Sequence, residues 1–95
     1  MKETIDWNWS IVFQMPNTGR LSIGYHPHWS MHRLRMDIGY HTYAVRSFHS
    51  EAEAQDVADQ LRCVLYGVEQ RHVSPEQAVE KFDRMQPRRS GHDIV

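Results

Sequence analysis

Ninety-five residues set the scale of one domain with one core, and 40% hydrophobic with 24% charged residues is ordinary globular composition. The formal net charge of −1 supplies no global attraction to nucleic acid or to an acidic membrane surface. No apolar run approaches the roughly 18 residues of a membrane span, the N-terminal MKETIDWNW has no signal-peptide apolar region, and the single cysteine, Cys63, excludes an intrachain disulfide. A small chain without that staple points to a reducing, cytoplasmic setting.

Residues 1–5 read as a short arm. Trp7, Trp9, Ile11, Phe13 and Met15 then alternate with Asn8, Ser10, Val12 and Gln14, which predicts a strand with one strongly apolar face turned to the core. Pro16-Asn17-Thr18-Gly19 is a turn, because Pro fixes φ while Asn and Gly tolerate positive φ. Leu21, Ile23 and Tyr25 alternate with Arg20, Ser22 and Gly24, so the pair reads as an antiparallel hairpin. His26-Pro27-His28-Trp29-Ser30 breaks the pattern and predicts a loop. Leu34, Met36 and Ile38 alternate with Arg33, Arg35 and Asp37 as a third strand. Residues 40–48 form a fourth, with Tyr43 and Val45 as the inward pair. Gly39 marks the turn between them; the alternative is one long strand bent at a bulge, giving three strands in all.

Residues 50–68 predict the longest helix. Ser50 is the N-cap and Glu53, three residues on, completes a capping box. Ala54, Val57, Ala58, Leu61, Leu65 and Val68 form one apolar stripe, while Glu53, Asp56 and Asp59 lie off it on a solvated acidic face. Ser74-Pro75-Glu76-Gln77 starts a second helix with a second capping box, and Ala78, Val79, Phe82 and Met85 are its apolar stripe. Pro87 stops it, and residues 87–95 read as a mobile tail. The expected fold is therefore α+β: a single domain over residues 6–86, with a four-stranded antiparallel meander and two helices packed on one face. The other face carries Asn8, Ser10, Gln14, Arg33, Arg35 and His41.

Charge is unevenly divided. Residues 1–49 hold five Lys/Arg against three Asp/Glu, an excess of +2, and residues 50–95 hold six against nine, an excess of −3. The chain contains no glycine-rich phosphate loop and no GxSxG elbow, and Cys63 is mid-helix, away from a helix N-terminus where a thiolate would be stabilised. These patterns predict a non-enzymatic protein that requires no cofactor. Trp29, in a loop with His28, Met31 and His32, has the size and amphipathic character of an interface anchor. The leading expectation is a protein-binding module that uses this loop, Arg33 and Arg35, with Glu53, Asp56 and Asp59 as a second, acidic surface.

Two alternatives use other residues. Arg20, Arg33, Arg35 and Arg46 beside Trp29, Tyr40 and Tyr43 would suit nucleic acid, with guanidiniums on phosphate and rings stacking bases. His26, His28 and His32, with His41 and His49 further on, are candidate nitrogen ligands for a metal, although their spacing matches no standard zinc site. In size, in layout across residues 6–86 and in its lack of catalytic motifs the chain resembles small phage-encoded inhibitors of the anti-CRISPR type. That resemblance implies a protein that occupies a surface on a host defence complex, some such proteins presenting an acidic face to a nucleic-acid groove.

Overall fold

The computed structural model describes residues 7–88. The expected arm at residues 1–5 and the tail beyond residue 88 lie outside the described residues. Four strands, β1 (Asn8–Met15), β2 (Gly19–His26), β3 (Met31–Ile38) and β4 (His41–Phe48), form one antiparallel sheet in the order β1-β2-β3-β4. Helices α1 (Glu51–Glu69) and α2 (Pro75–Arg84) follow, so the layout is α+β as the sequence pattern predicts.

The turns obey their local chemistry. Asn17 takes φ 71° between β1 and β2, and Gly39 takes φ 64° between β3 and β4, which settles four strands over one bent one. The two turns are tied together where Gly39 N–H donates to Thr18 O at 2.9 Å. Gly19 is already a strand residue, paired with Met15, and its missing side chain is required there: a Cβ would lie 2.7 Å from Asp37 O.

Between sheet and helices, Leu21, Leu34, Met36, Leu61, Leu65 and Phe82 are all fully buried. Leu61 and Leu65 belong to the predicted α1 stripe, and Ala78 and Phe82 to the α2 stripe. Ser50 caps α1, its Oγ accepting from Glu53 N–H at 3.2 Å. The reciprocal bond differs from expectation, since Glu53 Oε1 accepts from His49 N–H at 3.3 Å rather than from Ser50. Ser74 and Gln77 form the complete capping box of α2. Gly67 lies inside α1, where Val73 packs so closely that a Cβ would sit 2.6 Å from Val73 Cγ2.

Two face assignments are overturned, both by bulges. In β1, Trp9 pairs with Gly24 and Ile11 with Ser22, but the next partner pair is Phe13 with Leu21, so Val12 is an extra residue. One extra residue inverts the side on which all earlier side chains lie. Phe13 and Met15 therefore share the helix side, whereas Trp7, Trp9 and Ile11 stand on the side away from α1 and α2. By the same inversion Ser10, opposite Ile23, turns to the helix side.

In β4, Met36 pairs with Ala44 but Asp37 pairs with Thr42. Ala44, Arg46 and Phe48 face the helices, and the expected inward residues Tyr43 and Val45 are exposed. Arg46 is thereby removed from the nucleic-acid set. Its Nη1 donates to Phe82 O at 2.6 Å and Met85 O at 2.8 Å, satisfying carbonyls at the C-terminus of α2.

Candidate functional site

The side of the sheet away from the helices concentrates the chain's aromatic and guanidinium chemistry. Strand β2 supplies its floor with Ser22 and Gly24, both buried. Gly24 lacks a side chain where Trp9 crosses it, and a Cβ there would fall 2.7 Å from Trp9 Cε3. Trp9 thus lies flat across the strand pair. From β3, the Arg35 guanidinium is held over the Trp9 ring, 4.4 Å from its centroid. Two residues along each strand the motif repeats, with Arg33 4.5 Å from the Trp7 centroid. Arg33 is anchored further where its Nε–H donates to Ser47 Oγ of β4 at 3.3 Å.

At one end of this ladder the β2–β3 turn folds back over the sheet. Trp29 stacks on His26, with centroids 4.3 Å apart and planes 14° from parallel. Trp7 meets both edge-on, at 5.1 Å from His26 and 6.0 Å from Trp29. His26 is buried beneath them, and its Nδ1 accepts from His28 N–H at 3.2 Å, which fixes the ring in the turn. Trp29 itself stays 54% exposed, so the cluster has a solvated outer surface.

At the other end Asp37 gathers donors: Thr42 Oγ1 at 2.7 Å and Arg20 Nε at 3.2 Å, with Arg35 Nε at 3.4 Å as an ion pair. Of the groups named on this face, the three guanidiniums of Arg20, Arg33 and Arg35 stand against the single carboxylate of Asp37. Ile11 and Val45 flank the ladder, 53% and 43% exposed. All three tryptophans of the chain are on this one face.

The sequence-derived site residues divide among three places. Trp29, Arg33 and Arg35 belong to the open face, and Met31, opposite His26, shares that side; His28 is in the turn beside them. His32 does not join them. It pairs with Tyr25 on the helix side, the two rings 4.8 Å apart. There, at a corner that α1 leaves uncovered, Asn8, Ser10, Tyr25, His32 and Glu51 line a concavity of about 370 Å³.

Glu53, Asp56 and Asp59 are on α1, in the other layer, and they do not make the expected solvated acidic face. Asp56 is buried, and Glu53 is occupied with the helix cap. Asp59 is exposed, accepting from Gln55 Nε2 at 3.3 Å, with Arg62 Nη1 3.9 Å away.

The histidine expectation also separates spatially. His26 and His28 have rings 5.6 Å apart, but His32 lies on the opposite side of the sheet. Among the described residues no three His, Cys, Asp or Glu side chains converge as a group able to hold a metal ion.

No family model, curated protein or solved structure matches the chain. Among the described residues no helix is long and apolar enough to cross a membrane.

Sequence reasoning missed Trp7, Trp9, Ile11 and His26 as members of this face. A signal was present in the spacing: Trp7-x-Trp9 matches Arg33-x-Arg35, and Gly24 leaves room between the two strands. Regular alternation through Val12 concealed it.

Proposed function

We propose that this protein is a non-enzymatic binding module that docks a protein partner on the open face of its sheet. The observation that carries the reading is the placement of all three tryptophans, two with arginines held over them, on the side of the sheet away from α1 and α2. Tryptophan and arginine dominate binding hot spots because each brings a large, stiff contact area together with hydrogen-bond donors. Here Trp29 is the most exposed of the three and stands on a buried, hydrogen-bonded His26, so its docking costs little side-chain entropy. An inhibitor acting in the cytoplasm on a host defence complex is the finer form of this proposal. It is supported by the chain's size and layout.

The test is capture of partners from the native host on immobilised protein at physiological salt, with Trp29→Ala in parallel. The expected result is a defined protein partner whose affinity falls by at least about 2 kcal/mol in the variant, while the unfolding midpoint changes little. Recovery of the bait alone removes the reading. Recovery of nucleic acid instead, released as salt rises, transfers the face to the nucleic-acid alternative.

A further inference from the structure

We infer that the segment docked on the open face is acidic, its carboxylates held by Arg33 and Arg35 while its apolar side chains meet Trp29, Ile11 and Val45. The inference rests on the docking reading above and adds the chemistry of the partner. Charge complementarity carries it. Among the described residues named on this face, three guanidiniums stand against one carboxylate, and that carboxylate, Asp37, is already engaged by Arg20, Arg35 and Thr42. The described residues of the face therefore carry an excess of positive charge that an acidic partner complements.

Geometry makes the excess usable. Arg33 and Arg35 are oriented through Nε, toward Ser47 Oγ and Asp37 Oδ2, and are held over Trp7 and Trp9. Arg33 is anchored by its Nε hydrogen bond to Ser47 and by Trp7, whereas Arg35 is anchored by its ion pair with Asp37 and by Trp9, its buried Nε making no hydrogen bond among the described residues; a planar guanidinium grips an incoming carboxylate with paired bonds. The side chains are ordered before docking, which reduces the entropy lost on binding.

Competing occupants fit less well. A second copy laid face to face would set Arg20, Arg33 and Arg35 against their own images. Single-stranded nucleic acid needs free ring faces for its bases, yet Trp9 lies between Gly24 and Arg35, Trp7 has Arg33 over it, and Trp29 gives one side to His26. The four strands that build the face are each 8 residues long, about 26 Å at roughly 3.3 Å per residue, so an extended segment of about eight residues laid along them runs the length of the face.

The probe follows from that length: a peptide of about eight residues alternating glutamate with leucine, its counterpart with glutamine for every glutamate, and an oligothymidine of the same length. Because every tryptophan of the chain lies on the face, indole emission reads its occupancy directly, and none of the probes contains tryptophan. The expected result is saturable binding of the acidic peptide, at least about tenfold weaker for the glutamine peptide, for R33Q/R35Q, and on raising salt well above physiological strength. R33K/R35K, which keeps the charge but not the planar fork, falls between wild type and R33Q/R35Q. Circular dichroism establishes that each variant is folded, and R33K/R35K carries the comparison should R33Q/R35Q not fold.

Equal binding of the two peptides overturns the inference, as do indifference to the arginine substitutions and failure of the acidic peptide to bind. Tighter binding of oligothymidine assigns the face to nucleic acid, and a wild-type dimer in sedimentation that Ile11→Arg dissolves assigns it to a second copy. A captured protein partner that needs Trp29 but ignores R33Q/R35Q leaves the docking reading standing and removes only the acidic one.

Discussion

At position 24 a single methyl group is already too large. The Cβ it would add meets Trp9 at 2.7, 2.8 and 2.9 Å, on three ring atoms. A stiff indole cannot yield as the tip of a flexible chain would, so Trp9 has to lift off β2 and leave Arg35. Gly24→Ala is therefore expected to destabilise the domain by about 1–3 kcal/mol, the usual cost of overpacking, although alanine is otherwise the better residue in a strand. Denaturant unfolding measures the loss, and a change in indole emission locates it at the ladder. A neutral or stabilising outcome would show that Trp9 does not rest on Gly24. The same residue explains the even-numbered positions of β2: Arg20, Ser22, Gly24 and His26 line one side, and the small ones are where tryptophan and arginine cross.

Among the elements, α1 is the one whose role follows most directly from periodicity. Leu61 is fully buried and Asp59 is exposed, two residues and about 200° around the helix from each other. Leu61→Ala should cost about 2–5 kcal/mol, a large fraction of the stability of a domain this size. Asp59→Ala, losing exposed contacts to Gln55 and Arg62, should change stability by less than about 0.5 kcal/mol. Thermal or urea unfolding of both variants tests the pair, and equal effects would sink the facing of α1.

The helices, the turns and the number of strands were legible because each is written locally: Ser50 and Ser74 as caps, Pro75 at a helix start, Asn17 and Gly39 at turns. The faces of β1 and β4 were not. A bulge is decided by what lies across the sheet, and nothing in the run from Trp9 to Phe13 marks Val12 as supernumerary. Read with unbroken alternation, Trp7 and Trp9 fall in the core, and Arg33 and Arg35 are left without the rings they cover. The same kind of error made Val45 inward and left Arg46 among the candidate nucleic-acid residues. One irregular position in each edge strand thus separated a correct topology from an incomplete site.

Across the whole molecule, the sheet has two sides with different duties. The helix side holds the fully buried core; the other side is held in place by pairs, Arg33 with Trp7 and Arg35 with Trp9, that keep large side chains ordered without a third layer. Apolar residues flanking the ladder are therefore expected to contribute to docking and little to folding. Ile11 and Val45 are the appropriate probes, since both are substantially exposed and both are β-branched. The double substitution Ile11→Thr/Val45→Thr keeps the branching that suits a strand and removes apolar area from the face. Each change should alter stability by about 0.5 kcal/mol or less, as at other exposed positions, so the cooperative unfolding transition is expected to survive nearly unshifted. Partner capture on the same variant should fall measurably, because water-excluding contacts around a hot spot are lost with the methyl groups. Loss of folding together with a lowered molecular mass in sedimentation would mean that this side is the buried seam of an obligate assembly, and the docking surface would then have to be sought at the uncovered corner lined by Tyr25, His32 and Glu51.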